Sequence, residues 1–277
     1  MQQSAALTNP TTSTPTERSG LMRLYTLALA ALICAPTCLA APCPQAAGDP
    51  PPDPAVQRAR FDRIVDIQKK DDAALDLFER IERVEIKKSS SDLQPPEVKA
   101  SRVVPAGTGL DRIPVSPDGT PGDATAYRAA LEKLVTALVF ASGDGRAQRD
   151  AYEKVAKKRK ERDDLIDATR TAFIFTYLGR EPRGDRMLSK YSMLPNPAYK
   201  ATSRTTSIYA KVRGYVWIDD QSDHLARVEG EVTDDFTVGL FLGKVNKGSH
   251  FMQERYEFAP GLWFPSFSQY DFDGRKL

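Results

Sequence analysis

The spacing of apolar residues changes after Thr171 from a helical period to a strand period. The segment Ala172–Leu178 is aromatic and β-branched, as is typical of a β-strand. Beyond it, long apolar segments alternate with short turn sequences such as Asp220–Asp223 and Pro260–Gly261. Short turns between long strands favour an antiparallel meander. The sequence therefore predicts one curved antiparallel sheet over 171–273, with strands at 172–178, 187–194, 207–219, 225–232, 236–245, 250–258 and 262–272.

Helical patterns precede this sheet, mainly over 54–80 and 123–169. Asp53-Pro54 is typical of a helix start, because an Asp side chain caps free N–H groups and Pro fits the first turn. Asp71 or Asp72 is expected to begin a second short helix. Asp123 is expected to cap the next one, which carries an apolar stripe from Tyr127 to Leu138. The last helix is expected over 146–169.

The segment between the two helical regions is predicted to be weakly strand-like. Arg80–Lys88 and Val98–Val104 have strand character. Pro105–Gly122 is rich in proline and glycine, so it is expected to be an irregular loop.

The N-terminal segment has the pattern of an export signal. Met22-Arg23 precedes the apolar run Leu24–Ile33, which is too short to span a bilayer, since a helix needs ~20 residues. Small residues favour cleavage after Ala40, which makes 1–40 an N-terminal extension with signal peptide and 41–53 a linker. Either Met1 or Met22 is the start of translation. The alternative is a buried helix that begins a domain.

The cysteine count limits both the compartment chemistry and the reaction chemistry. The chain has 3 cysteines, Cys34, Cys38 and Cys43, all before the linker ends. A disulfide framework or a Cys/His zinc site in the body of the chain is therefore excluded. Soluble export to the periplasm or beyond is expected. Lipid anchoring through Cys43 is the alternative, although Pro42 is not the small residue that acylation favours.

Charge and motifs argue against catalysis and against nucleic-acid binding. The 39 basic and 37 acidic residues leave a net charge of +2, without the basic surplus that binds phosphates. No Gly-rich phosphate loop or nucleophile elbow is present. Ser249 and His250 are neighbours in a strand and point to opposite faces, and His224 is expected to be solvated in a turn. We therefore predict no catalytic residue, no metal ligand and no cofactor.

The apolar residues of the predicted strands indicate a different kind of site. A sheet that is apolar on both faces is covered on both, or it lines a cavity. Helices that fill one side completely are the simpler alternative. The cavity hypothesis names six residues near the apolar interior: Trp217, Val238, Leu240, Met252, Tyr256 and Phe264.

The later half of the chain also carries a set of short motifs in a fixed order. They are Leu178-Gly-Arg-Glu181, Gly184-Asp-Arg186, Pro195-Asn-Pro-Ala-Tyr199, Gly214-Tyr-Val-Trp-Ile-Asp219, Leu225-Ala-Arg-Val-Glu229, Lys247-Gly-Ser-His-Phe251, Gly261-Leu-Trp-Phe-Pro265 and Gly274-Arg275. In this order they resemble exported bacterial proteins of the outer-membrane lipoprotein-sorting (LolA-like) superfamily. The earlier helices match only loosely.

The resemblance implies an α+β domain over 54–277, in which a curved antiparallel sheet forms an incomplete half β-barrel with helices on its concave side. In the better-understood relatives, such a cavity holds lipid acyl chains of a carried lipoprotein. The expected function is a non-enzymatic periplasmic carrier or sensor for an apolar group. The alternative is a ligand-free envelope module that docks a partner protein through its sheet edge or helices.

The C-terminus predicts an unpaired strand edge. Asp273-Gly274 is a hairpin turn signal, yet only three residues follow it. The strand Leu262–Phe272 is therefore expected to present an edge that invites another chain. Edge protection by Arg275 and Lys276 is the alternative.

Overall fold

The computed structural model describes residues 2–6, 50–87, 95–238 and 243–271. The predicted signal peptide, the cleavage site after Ala40, Cys43 and the turn at Asp273 lie outside these residues. In chain order the elements are β1 (Gln2–Ala6), α1 (Pro54–Leu75), β2 (Arg80–Lys87), β3 (Glu97–Pro105), β4 (Leu110–Val115), α2 (Ala124–Ala141), α3 (Arg146–Ala172), β5 (Phe173–Arg183), β6 (Arg186–Pro195), a 3₁₀ helix (Thr206–Lys211), β7 (Val212–Asp219), β8 (Leu225–Val232), β9 (Phe236–Val238), β10 (Gly243–Val245), β11 (His250–Ala259) and β12 (Leu262–Asp271).

The main sheet has ten strands in the order β4-β3-β2-β1-β12-β11-β8-β7-β6-β5, and neighbouring strands are antiparallel. We call its part β12-β11-β8-β7-β6-β5 the six-stranded sheet and its part β4-β3-β2 the three-stranded sheet. The backbone of β1 pairs with the edge strand of each, β12 and β2. The predicted α+β class and the antiparallel meander are therefore confirmed.

Two predicted strands are wrong in extent. The segment 236–245 is not one strand of the meander, because β9 and β10 pair with each other as a small separate hairpin. Gly243 interrupts the apolar run there, and a glycine inside a strand pattern often marks a bend. The first part of 207–219 is the 3₁₀ helix, and the strand begins only at Val212.

The helix starts are confirmed, but the predicted break within the first helix is wrong. Asp53 accepts hydrogen bonds from the N–H groups of Ala55 and Val56, and Asp123 accepts one from Ala126 at 2.7 Å. α1 continues through Asp71 and Asp72 without interruption. These carboxylates have partners on distant elements, so they do not need to cap a new helix.

The proline-rich segment 105–122 is not an irregular loop throughout, as was predicted. β4 lies within it and pairs with β3. Ile113 is 2% exposed and Val103 of β3 is fully buried, and the register places their side chains on opposite faces of the sheet. Pro114 is tolerated because β4 is an edge strand, where a missing backbone N–H costs little.

The main core lies between α1 and one face of the six-stranded sheet. The ring of Phe61 stacks on Phe175 with centroids 4.0 Å apart and meets Tyr191 edge-on at 5.0 Å. Ile64 of α1 is buried in the same cluster as Val216 and Ile218 of β7. α3 is tied to α1 by Arg170, which binds Asp62 and Asp66. The helices therefore cover this face of the sheet and fill it with side chains.

The predicted free edge of the final strand is wrong for the chain described. Residues Phe267–Asp271 of β12 pair with β11 on one side and with Gln2–Ala6 on the other. The partner strand comes from the far N-terminus, which has no strand pattern of its own. Among the described helices, none is long and apolar enough to cross a bilayer.

Candidate functional site

The candidate site is a groove on the face of the six-stranded sheet that points away from α1. Tyr191 and Val216 pair across β6 and β7 and belong to the α1-facing core. Their neighbours Ser192 and Tyr215 also pair, and strand alternation places them on the opposite face. We call this the outer face. The outer face is where a ligand can approach the sheet.

The groove has a volume of about 600 Å³ and crosses β6, β7, β8, β11 and β12. This size lies within the range of ~300–1,000 Å³ that is common for small-molecule sites. The apolar lining residues are Leu194, Tyr215, Phe251 and Met252, and the others are polar residues or glycines. The lining residues are Ser192, Leu194, Arg213, Gly214, Tyr215, Glu229, Gly230, Glu231, His250, Phe251, Met252, Gln269 and Asp271.

Two paired glycines without side chains form the part of the sheet beneath this groove. Gly214 of β7 and Gly230 of β8 are register partners. A Cβ at Gly214 would lie 1.9 Å from the backbone oxygen of Glu229, and a Cβ at Gly230 would lie 2.2 Å from the ring of Phe251. No larger residue fits either position as the structure stands. The ring of Phe251 therefore packs directly on the backbone of β8.

The rim of the groove carries charges of both signs. The Arg213 guanidinium donates to Glu231 Oε2 at 3.0 Å and is 56% exposed. Glu231 stands opposite His250 in the register, and His250 stands opposite Asp271. Apolar surface within such a rim suits an amphiphile, whose chain lies on apolar side chains while its head group meets the charges.

Of the six predicted cavity residues, Met252 lines the groove. Trp217 lies on the outer face but is only 6% exposed. Its indole N–H donates to Glu181 at 2.8 Å, and Lys190 and Arg227 lie over its ring at 4.8 and 5.2 Å. Trp217 is therefore buried within the protein itself, under these polar side chains and in an apolar cluster with Leu188, Ala226 and Trp263. Leu240 lies outside the described residues.

The other three predicted residues are elsewhere. Val238 is the last residue of β9, in the separate hairpin. Tyr256 is 47% exposed, and the guanidinium of Arg183 lies 4.2 Å from its ring. Phe264 is buried against Phe78, with ring centroids 5.3 Å apart. The structure thus does not bring the six residues together at one site.

Sequence reasoning missed Arg213, Tyr215 and His250, which complete the groove. The alternation of apolar residues predicts which residues of a single strand share a face. Which residues of β7, β8 and β11 lie side by side depends on the register between these strands, and no local sequence signal shows that register.

A buried polar cluster corrects the prediction for His224. His224 is 6% exposed, and its ring stacks on Trp263 with centroids 5.4 Å apart. Its Nδ1 lies 3.0 Å from the backbone oxygen of Ser222, and its Nε2 lies 3.7 Å from Asp71 Oδ2. Asp71 Oδ1 accepts the backbone N–H of Trp263 at 3.3 Å. The cluster therefore joins α1 to β12, and it is closed to solvent.

Burial raises the pKa of Asp71, and its electrostatic interaction with His224 acts in the opposite direction. Next to it, Asp72 binds Arg255 at 2.9 Å, and Arg255 is 2% exposed. Among the described residues, no three His, Cys, Asp or Glu side chains are grouped so that they could hold a metal ion.

No family model, no curated protein and no solved structure matches this chain. The resemblance to the lipoprotein-sorting superfamily therefore rests on the sequence motifs alone and stays a prediction.

Proposed function

We propose that this protein is a non-enzymatic carrier or sensor that binds the apolar part of an amphiphile, such as a lipid or a lipoprotein acyl chain. The observation that carries the proposal is the outer-face groove, in which Met252 and Tyr215 offer apolar surface inside a rim of opposite charges. A buried apolar contact contributes ~25 cal/mol per Å² removed from water, which suits an acyl chain. The charged rim suits its head group.

The proposal includes the finer architecture that the resemblance implies, an incomplete half-barrel with helices on its concave side. Register shifts occur between Tyr177 and Gly179 and between Glu254 and Arg255, and such bulges increase local twist. Phe61 and its neighbours fill the α1-facing side. In this arrangement the acyl chain occupies the outer face, whereas proteins of the superfamily that the motifs resemble hold it in a cavity beneath the helices.

The proposal places the protein in the bacterial periplasm or outside the cell, after removal of residues 1–40. N-terminal sequencing of the protein from the envelope fraction is expected to give Ala41. Full-length, uncleaved protein in the cytoplasm would contradict export.

Binding is tested by titration with the apolar fluorophore N-phenyl-1-naphthylamine, followed by displacement with palmitate. Met252→Glu places a charge on the apolar surface of the groove, and we expect roughly tenfold weaker probe binding, about 1.4 kcal/mol. Phe258→Glu is the matched control, because Phe258 is a 67% exposed apolar residue of the same strand outside the groove lining. If both variants bound the fluorophore with the affinity of the wild type, the groove would not be the binding site.

A second candidate function is a docking module for a partner protein, and α2 is the observation that favours it. None of the residues of α2 is buried. Val135 is 58% exposed and Val139 is 67% exposed, so an apolar helix face meets solvent. A protein without bound amphiphile, whose partner binding is lost in Val135→Ser/Val139→Ser, would favour this candidate over the carrier.

A further inference from the structure

The strand β1 occupies a gap between the two sheets. Its residues Gln2–Ala5 pair with Val84–Lys87 of β2, and Gln2–Ala6 pair with Phe267–Asp271 of β12. β1 is antiparallel to both neighbours, so β2 and β12 run parallel to each other. Because neighbouring strands lie ~4.8 Å apart, the two edges are separated by ~10 Å.

Contacts that do not involve β1 hold these two edges in place. Phe78, just before β2, packs against Phe264 of β12 with ring centroids 5.3 Å apart. Arg80 of β2 donates to the backbone oxygen of Leu75 at 3.2 Å, which ties the strand to the end of α1. The same end of α1 binds β12 through Asp71 and the N–H of Trp263. The gap is therefore expected to persist when β1 is removed.

We propose that this gap is an acceptor site for an extended segment of a partner protein, and that Gln2–Ala6 occupies it only until the chain is cleaved after Ala40. The inference rests on the export proposed above, since that cleavage removes β1. Without β1, the gap has unpaired N–H and C=O groups on both sides. An incoming segment gains backbone hydrogen bonds from two edges at once, which is the basis of recognition by strand addition.

The residues that flank the gap define the chemistry of the segment. A residue at the position of Gln3 lies between Ile86 of β2 and Tyr270 of β12. A residue at the position of Ala5, on the same face of the sheet, lies between Val84 and Ser268. Cross-strand neighbours favour apolar residues at these two positions. The position of Gln2 lies between Lys87 and Asp271, and the position of Ser4 lies between Glu85 and Gln269. These polar neighbours favour polar residues at both positions. Over the four positions that Gln2–Ala5 occupy, the partner segment therefore alternates apolar and polar residues, and the next position meets Phe267 of β12.

The charges on β2 do not oppose such a segment. Arg80 pairs with Glu82 at 2.7 Å, and Arg83 pairs with Glu85 at 2.8 Å, so these four charges of β2 are paired within the strand. The native occupant is a poor match for the apolar positions, because Gln3 stands at the first and Ala5 at the second. A segment with larger apolar residues there is expected to bind more tightly than Gln2–Ala6.

The test uses the chain that export would leave, Ala41–Leu277, which contains α1 to β12. Fluorescent peptides with the sequence Met1–Leu7 are titrated and followed by anisotropy. We expect the Gln3→Val/Ala5→Val peptide to bind roughly tenfold more tightly than the native peptide, since apolar side chains improve four cross-strand contacts. Adding Ser4→Pro to this peptide removes a backbone N–H and is expected to abolish binding.

Amide exchange of the same sample locates the peptide. Protection is expected to appear at Val84–Lys87 and Phe267–Asp271 together, and only when peptide is present. The proposal would be overturned if both edges were protected without peptide, or if a dimer protected them. Equal binding of the proline peptide and the valine peptide would also overturn it.

Two further measurements complete the test, one with the full chain and one with the fluorophore. If Ala41–Leu277 does not fold, the full chain with Ser4→Pro is used, because proline in β1 is expected to release it and admit the valine peptide in trans. N-phenyl-1-naphthylamine binding is measured in parallel. The probe reports the groove and the peptide reports the gap, so failure of the carrier function and failure of the acceptor site give different results.

Discussion

At the scale of single residues, Arg60 of α1 is the main polar connection between the helix and the sheet. Its guanidinium donates to Asp223 Oδ1 at 2.6 Å, to Asp220 Oδ1 at 2.9 Å and to the hydroxyl groups of Ser189 and Tyr191 at 3.2 Å. The side chain of Arg60 is 16% exposed. Arg63, one turn later, also binds Asp223, but its side chain is 58% exposed.

We expect Arg60→Ala to lower the free energy of unfolding by about 3 kcal/mol, because several part-buried groups lose their donor. Arg63→Ala is the matched control and should cost at most ~1 kcal/mol, as exposed ion pairs do. Arg60→Lys should recover only part of the loss, since a single ammonium cannot reproduce the guanidinium fork. Urea unfolding of the three variants measures the difference. Equal costs for Arg60→Ala and Arg63→Ala would contradict this assignment.

Asp71 is expected to make stability depend on pH in an unusual direction. Burial raises its pKa in the folded state above the ordinary value of 3.8, so the folded state binds a proton more readily than the unfolded state. The contribution of Asp71 to stability is then fully present below the unfolded pKa and is lost as pH rises through the folded pKa. Asp71→Asn mimics the neutral carboxyl group and removes this dependence.

The measurement is the free energy of unfolding of wild type and Asp71→Asn from pH 3.5 to 8. The wild type should lose stability relative to the variant as pH rises from about 4. A difference that does not change with pH, or that changes in the opposite sense, would show that the Asp71 carboxyl group does not titrate as its burial implies.

At the scale of elements, local signals were predictable and non-local pairings were not. The capping roles of Asp53 and Asp123 follow from neighbours one turn away, and both are present. By contrast, Asp71 lies inside α1, and its neighbour His224 is more than 150 positions further along the chain. β1 is likewise defined by pairing with β2 and β12. Such pairings leave no signature in the segment itself.

The two glycines of β7 and β8 give an element-scale prediction. Gly230→Ala should cost about 1–3 kcal/mol, because its Cβ meets the ring of Phe251, which can shift. Gly214→Ala should cost more, because its Cβ meets the backbone of Glu229. Phe251→Leu in the Gly230→Ala background should recover part of the loss, and it should not rescue Gly214→Ala. Thermal unfolding of the two single variants and of their combinations with Phe251→Leu measures these costs. A cost for Gly214→Ala below that for Gly230→Ala would contradict the close approach of β7 and β8.

At the scale of the whole molecule, the period change after Thr171 was sufficient to predict the α+β class and the meander. The position of the groove was not predictable, because it depends on the register of five strands. Met252 was found from its phase, whereas Arg213 and Tyr215 join it only through that register. The filling of the α1-facing side by Phe61 and Tyr191 also required the structure, since it decides which face is left for a ligand.

The proposed binding of an amphiphile in the outer-face groove is tested by organic extraction and mass spectrometry. The protein is purified from the bacterial envelope without detergent, as wild type, Met252→Glu and Phe258→Glu. We expect a lipid in near-stoichiometric amount with the wild type and Phe258→Glu, and its loss from Met252→Glu. Lipid that is absent from all three proteins, or equally abundant in all three, would show that the groove does not carry an amphiphile.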